Sequence, residues 1–257
     1  AVAKEEQPGV EFKNVSLTYS GSGAPSVEGI NFKAMKGQTI GVIGGTGSGK
    51  SSLVNLIPRL YDATQGEVLV DGVNVKDYDI EALRNKVGIV MQKAVLFKGT
   101  IRENMWMGKK GATDAQIDEA LEISQSKEFV DSKQGRLDYV IEQGGKNLSG
   151  GQRQRLTIAR AIVRKPDVLI LDDSASALDF ATDAALRKAI RGMNNSPTVF
   201  IVSQRAASLM YADLIIVLDD GQVAGMGTHD ELLANCEVYK EIYESQFKKA
   251  DSEGGVA

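Results

Sequence analysis

Residues Gly44 to Ser51, GGTGSGKS, meet the spacing G-x-x-x-x-G-K-[ST], and each fixed position supplies something separate to phosphate chemistry. Gly44, Gly47 and Gly49 admit left-handed backbone angles and let the chain approach a ligand without Cβ clashes. Backbone N–H groups along Gly45, Thr46 and Ser48 can then line one concavity at the positive end of a helix, where an anion is favoured. Lys50 brings a mobile ammonium to the β- and γ-phosphates. Ser51, with Ser52 beside it, offers a hydroxyl to magnesium, a cation that prefers oxygen ligands. A chance glycine-rich turn carrying a lysine would not require the flanking pattern. That pattern is apolar Ile40 to Ile43 before the loop, and Leu53, Leu56, Ile57 and Leu60 on one helical face after it. The stretch predicts strand, loop and helix around a nucleoside triphosphate.

Two further stretches carry chemistry. Val168-Leu169-Ile170-Leu171 reads as an apolar strand ending on Asp172. A parallel strand delivers its C-terminal residue to the ligand crevice, so this carboxylate can join a magnesium shell. Taken alone, Asp172 fits an acidic turn after a core strand equally well; a phosphate loop in the same chain favours the metal. Leu148-Ser149-Gly150-Gly151-Gln152 opens a helix with a serine and two glycines, a second surface suited to an anion. A chain with one phosphate loop has no evident need of another. A triphosphate held by a second copy or a partner resolves this.

The elements that must position these residues are legible from hydrophobic spacing. Val10, Phe12, Val15, Leu17 and Tyr19 suggest a half-buried strand, followed by strands near Gly29–Ala34, Glu67–Val70 and Val87–Met91. From Gly99 to Gln143 the pattern turns helical, with Ala115–Ile123 and Lys127–Val130 the clearest segments. A helix over Gly151–Arg164 is stopped by Pro166. Strand Val168–Leu171, a helix near Ala181–Arg191, and strands Thr198–Val202 and Leu214–Leu218 come next. A turn at Asp219–Gln222 leads to a last strand, and Asp230–Phe247 is expected as one closing helix. The alternation in the second half predicts a parallel sheet with helices on its faces. Arg153, Arg155, Arg160 and Arg164 could form a nucleic-acid stripe, but their spacing is read as a solvated helix face.

Composition narrows the class. A chain of 257 residues with 42% hydrophobic and 25% charged residues suits one substantial α/β core. No apolar run approaches the roughly 20 residues of a membrane helix, and Ala1 to Pro8 does not resemble a signal peptide. The single cysteine, Cys236, rules out an internal disulfide, is expected to pack in the interior, and fits a reducing, cytosolic setting. A net charge of −4 argues against nucleic acid as the partner.

Together these motifs resemble the ATP-binding cassette (ABC) family, specifically the nucleotide-binding domain of an ABC exporter, from about Val10 to Phe247. LSGGQ with a phosphate loop at this spacing is close to unique to that family; VLILD, SALD at Ser176–Asp179 and Gln92 at a strand end accompany it. VLFKGTIREN at Val95–Asn104 and VIEQG at Val140–Gly144 look like exporters rather than importers. The resemblance implies an α/β fold: a P-loop NTPase (RecA-like) core with an antiparallel β subdomain and an inserted α-helical subdomain at about 99–150. It would occupy residues 10–248, with an N-terminal extension 1–9 and a C-terminal tail 249–257. It also implies ATP and Mg2+ as cofactors, Tyr19 stacked on adenine, and Ser51, Gln92 and Asp172 at the metal. Gln92 would sense a transmembrane domain, Ser149, Gly150, Gly151 and Gln152 would meet a γ-phosphate across a dimer interface, and Asp179 would lie in the loop coupling the two sites. His229 has a counterpart in the family and is assigned to the start of the last helix. A membrane-domain contact is expected around Gln92–Trp106, where Val95, Leu96, Phe97 and Trp106 offer apolar surface.

Two positions depart from the family. The residue after Asp172 is usually a glutamate that polarises the attacking water; here it is Asp173. One methylene fewer withdraws the carboxylate by about one C–C bond, and a general base must lie within about 2.6–3.2 Å of its proton. After Val202-Ser203 the family usually has a histidine; here Gln204 can donate a hydrogen bond but carries no charge and relays no proton. Both changes strike hydrolysis, at Asp173 and Gln204, while Lys50 and the rest of the binding loop are intact. The expectation is one half of a heterodimeric exporter, whose own site holds ATP and turns it over weakly. Its LSGGQ would complete a competent site on a second nucleotide-binding domain. A homodimeric, fully active ATPase and a non-hydrolysing module that dimerises on ATP are the other readings.

Overall fold

The computed structural model describes residues 7–174 and 176–253, so most of the expected extension 1–9 and the end of the expected tail, 254–257, lie outside the described residues. One compact unit comprises the described residues up to Arg84 together with those from Thr198; the other is Asn85–Pro197.

In the first unit the strand Thr39–Gly44 is buried along nearly its whole length between two parallel neighbours. Thr198–Val202 pairs with it on one side, with Phe200 opposite Ile40 and Val202 opposite Val42. On the other side lies Leu214–Asp219, with Ile216 opposite Val42 and Leu218 opposite Gly44. Strands covered on both faces need apolar residues at every position, which is why these read as continuous Ile, Val, Leu and Phe rather than alternating. Leu214–Asp219 then reverses through Asp220 and Gly221, both at positive φ (45° and 76°), into the antiparallel strand Gln222–Gly227. A separate antiparallel sheet runs in the order Val27–Met35, Pro8–Leu17, Gln65–Val70, Val73–Asn74. Phe12 and Phe32 face each other across its first pair with ring centroids 4.5 Å apart. Pro8 already pairs with Met35, so the first strand begins inside the expected extension.

In the second unit Val87–Val90 pairs in parallel with Val168–Asp172. The helices Ile101–Trp106, Asp114–Ile123, Lys127–Asp131, Gly150–Ile162 and Phe180–Arg191 accompany them. Thr100, Thr113, Ser149 and Asp179 each cap a helix start with a side-chain oxygen, and the first three form capping boxes with Glu103, Gln116 and Gln152.

Three expectations need correction. The stretch Gly99–Gln143 is not helical throughout: Gly99–Thr100 and Val140–Ile141 pair as short antiparallel strands, too brief for an alternating pattern to register. The closing helix is two helices, His229–Asn235 and Glu237–Glu253, because Cys236 takes an extended conformation (φ −125°, ψ 103°). Cys236 is buried as expected. The arginines of the Gly150–Ile162 helix and its C-terminal end are not a solvated face. Arg155 donates to Gln125 O at 2.5 Å, Arg160 to Val95 O at 2.9 Å, and Arg164 to Val87 O at 2.8 Å. Burial pulls the pKa of all three downward. A guanidinium on a long apolar stem can reach backbone carbonyls of distant segments, and charge alone does not announce that in a sequence. Among the described residues no helix is long and apolar enough to cross a membrane.

Arg164→Ala should leave the Val87 carbonyl without its donor and lower stability by about 1–3 kcal/mol. Urea unfolding followed by circular dichroism would show this as a fall in midpoint, with Mg-ATP affinity unchanged.

Candidate functional site

The phosphate loop begins where the strand Thr39–Gly44 ends and closes on the helix Lys50–Asn55. A Cβ on Gly44 would stand 2.3 Å from Leu218 O and 2.4 Å from Ser48 Oγ, so the neighbouring strand and the loop's own serine occupy that space. Gly49, at φ 98°, leaves no room either: its Cβ would meet Ser26 O at 2.4 Å. Gly47 is at φ 78° and, like Gly45, faces open space. Gly45, Thr46 and Gly47 are exposed, while Ser48 is buried with a hydroxyl that has no hydrogen-bond partner among the described residues. The helix that follows starts on Gly49, which has no side chain to cap it, unlike the side-chain-capped helices described above. Its first N–H groups and the orphaned Ser48 hydroxyl suit an anion supplied from outside. Lys50 Nζ donates to Gly44 O at 2.8 Å and Gly45 O at 2.7 Å, which keeps the ammonium folded over the loop. These residues fit a nucleotide's phosphates. Ser52 accepts a hydrogen bond from Tyr19 Oη at 2.9 Å, so the proposed adenine platform is tied to the loop's helix. Tyr61 meets the Tyr19 ring edge-on at 4.9 Å.

Gln204 follows the strand Thr198–Val202, the immediate parallel neighbour of the loop strand. Its side chain is exposed and makes no hydrogen bond among the described residues, whereas its carbonyl accepts from Gln246 Nε2 at 2.7 Å.

In the second unit Asp172 closes its strand and is buried, and Asp173 follows at φ 45°. Aspartate enters this left-handed region more readily than most residues, because its short side chain bonds locally. The Asp173 carboxylate accepts from Gln92 Nε2 at 3.2 Å. The structure thus joins two residues that the sequence placed separately, one as base and one as metal ligand. Among the described residues no group of three or more His, Cys, Asp or Glu could hold a metal ion. Magnesium commonly relies on one or two carboxylates, waters and substrate phosphates, and the side chains of Ser51, Gln92 and Asp172 each offer an oxygen of that kind.

Ser149 and Gln152 of LSGGQ close on each other. Ser149 Oγ accepts from Gln152 N at 3.2 Å, and Gln152 Oε1 accepts from Ser149 N at 3.1 Å. The segment before it is held by Arg153, which donates to Leu148 O at 2.7 Å. Gly150 is exposed, and a Cβ on Gly151 would meet Ala177 O at 3.2 Å. Asp179 caps the helix Phe180–Arg191, and the Thr182 backbone N–H and hydroxyl hold its carboxyl below the ordinary range.

Of the expected apolar set, Leu96 is core, 1% exposed, while Val95, Phe97 and Trp106 stand 44%, 46% and 41% exposed. Sequence reading missed what holds this loop. Asn104, almost wholly buried, accepts from Phe97 N and donates to Phe97 O and Thr100 O, all at 3.0 Å. Arg160 adds its bond to Val95 O and lies over the Phe97 ring at 5.8 Å. An asparagine in mid-helix with no capping duty was the available signal for Asn104; Gln246 offered none. His229 begins its helix as expected and also meets Tyr239 Oη at 2.8 Å through Nδ1.

Comparison with known proteins converges on one family. A family model described as ABC transporter matches residues 27–176. The uncharacterized ABC transporter ATP-binding protein YfiB of Bacillus subtilis (strain 168) is 43% identical over 244 residues, covering 95% of this chain and 42% of the relative. A Staphylococcus aureus (strain NCTC 8325 / PS 47) protein, named for multidrug export as an ATP-binding/permease protein, is 38% identical over 241 residues, 94% of this chain and 42% of its own length. A solved structure of a bacterial Atm1-family ABC exporter with ATP bound superposes with a TM-score of 0.87 at 33% identity, over 93% of this chain and 42% of that one. The chain therefore spans about two-fifths of the length of the curated relatives it matches.

Gly49→Ala should abolish Mg-ATP binding and destabilise the fold by more than about 1 kcal/mol, since the residue sits at φ 98°. Gly45→Ala, in open space, should leave the fold intact. Nucleotide titration beside urea unfolding would separate the two.

Proposed function

The chain belongs to the ABC transporter family, and on that premise we propose that it is the ATP-binding motor domain of an exporter whose own phosphate site holds Mg-ATP but hydrolyses it slowly. The observation that carries this reading is an asymmetry within the chain. The cradle of Gly44 to Ser51 is complete, with glycines where a Cβ would collide and Lys50 folded over the loop. The two positions meant to activate water and hold its proton carry Asp173 and Gln204 instead of the family's glutamate and histidine. Asp173 is the shorter carboxylate and is engaged by Gln92, and Gln204 cannot carry charge.

In this reading ATP supplies the energy, and magnesium, held by Ser51, Gln92 and Asp172, neutralises developing phosphate charge. Lys50 orients the β- and γ-phosphates, and Tyr19 stacks on the base. ABC domains act as head-to-tail pairs, so Ser149, Gly150, Gly151 and Gln152 serve the triphosphate of a second cassette, and heterodimerisation supplies a competent site. The capping box that holds Ser149 and Gln152 in register supports such a preformed surface. A transmembrane domain is the other partner. The permease in the name of the Staphylococcus aureus relative and the length of the relatives beyond this chain support it. Docking at the cytoplasmic face of a membrane falls to exposed Val95 and Phe97, on a loop that Asn104 and Arg160 hold by hydrogen bonds, together with Trp106 at the end of the following helix.

Turnover measurements test the reading. The purified chain should bind Mg-ATP yet hydrolyse it far below ordinary enzyme rates of about 1–10³ per second. Mixing with a cassette that has the usual glutamate and histidine should raise hydrolysis, and Ser149→Ala in this chain should remove that gain. Asp173→Glu combined with Gln204→His should recover part of the roughly 10²–10⁴-fold that a well-placed acid–base group contributes. Brisk hydrolysis by the unmodified chain alone would defeat the proposal. Val95→Asp should abolish stimulation by the membrane domain while ATP affinity stays the same; unchanged stimulation would remove this loop from the docking surface.

A further inference from the structure

The segment carrying Gln204 is fastened at both ends, and the second fastening comes from the far end of the chain. On one side, Ser203 N donates to Val42 O of the phosphate-loop strand at 3.1 Å, and Ser203 Oγ accepts from Arg205 N at 2.9 Å. On the other side, a single side chain of the helix Glu237–Glu253 brackets Gln204 and its neighbours. Gln246 Nε2 donates to Gln204 O at 2.7 Å, while Gln246 Oε1 accepts from Ala206 N at 2.9 Å. A primary amide suits this task because it presents a donor and an acceptor side by side, matching a backbone C=O and an N–H two residues apart. A carboxylate would satisfy one bond only, and an ammonium the other. The helix is itself anchored upstream: Tyr239 is fully buried and bonded to His229, and Tyr243 packs against the His229 ring with centroids 5.2 Å apart. Tyr239, Tyr243 and Gln246 follow each other at spacings of four and three, so they share one helix face.

We propose that Gln246 is the positioning residue for Gln204, so that the C-terminal helix sets where the Gln204 side chain stands and any displacement of that helix is transmitted to the nucleotide site. This rests on the reading above that Gln204 faces the γ-phosphate. The Gln204 side chain is exposed and makes no hydrogen bond among the described residues, so the point from which it projects is set by its backbone, and Gln246 holds that backbone.

The test is amide hydrogen exchange by mass spectrometry on the whole chain, with and without Mg-ATP, for the parent and for Gln246→Ala. In the parent, Mg-ATP should slow exchange in both 44–52 and 203–209. In Gln246→Ala, protection of 44–52 and the ATP dissociation constant should persist while protection of 203–209 is lost. In a chain also carrying Asp173→Glu and Gln204→His, Gln246→Ala should lower kcat about tenfold and leave KM unchanged, a split that general loss of folding would not produce. Protection of 203–209 that survives Gln246→Ala overturns the positioning role. Absence of that protection in the parent overturns the placement of Gln204 at the nucleotide, and this inference with it. A parallel fall in ATP affinity and thermal midpoint marks Gln246 as a structural residue and also refutes the proposal.

Discussion

A phosphate held by backbone N–H groups requires that nothing else fill the space in front of them, and this constraint shapes the first unit. Gly44 can approach Leu218 and Ser48, and Gly49, at φ 98°, can approach Ser26, only because each lacks a Cβ. Those contacts in turn depend on the neighbouring parallel strand, Leu214–Asp219, being held in register with Thr39–Gly44. The buried sheet thus leaves no room for a side chain where the loop begins. The short helix beginning at Lys50 is left without a side-chain cap. An anion at that end therefore compensates groups that would otherwise rely on water.

The second unit meets a different need. Arginines of the long helix and of the segment just after it reach backbone carbonyls of other segments: Arg153 to Leu148, Arg155 to Gln125, Arg160 to Val95, Arg164 to Val87. Desolvation opposes the charge in three of these, yet the bonds join loops to one rigid helix whose first residues are the LSGGQ glycines and glutamine. The exposed apolar loop at Val95 and Phe97 and the capping box at Ser149 are consequently features of one scaffold.

Positions 173 and 204 bring sequence and structure together. Asp173 is shorter than the family's usual residue, but the structure adds that it stands in the left-handed region and accepts a hydrogen bond from Gln92. The Gln92 amide occupies one acceptor site of that carboxylate. The Gln204 segment is similarly committed, fastened to the phosphate-loop strand on one side and to Gln246 on the other.

By itself the sequence determined the elements and the motif spacing of short spans. Gly44 to Ser51, Leu148 to Gln152 and Val168 to Asp172 could be read directly, because strand period, helix period and motif spacing are local properties. Strand Thr198–Val202 falls on the residues its composition indicates, since a fully buried strand has little freedom in what it may contain. Tertiary structure alone decided the partners. A surface-type glutamine at 246, a buried asparagine at 104 and three partly buried arginines look in the chain like ordinary polar residues. Gln246 lies 42 residues from the carbonyl it holds, and Arg160 lies 65 from its own. Hydrogen bonds between such distant residues leave no periodic trace, because they depend on which loop the fold brings within about 3 Å of a donor rather than on the residues beside it.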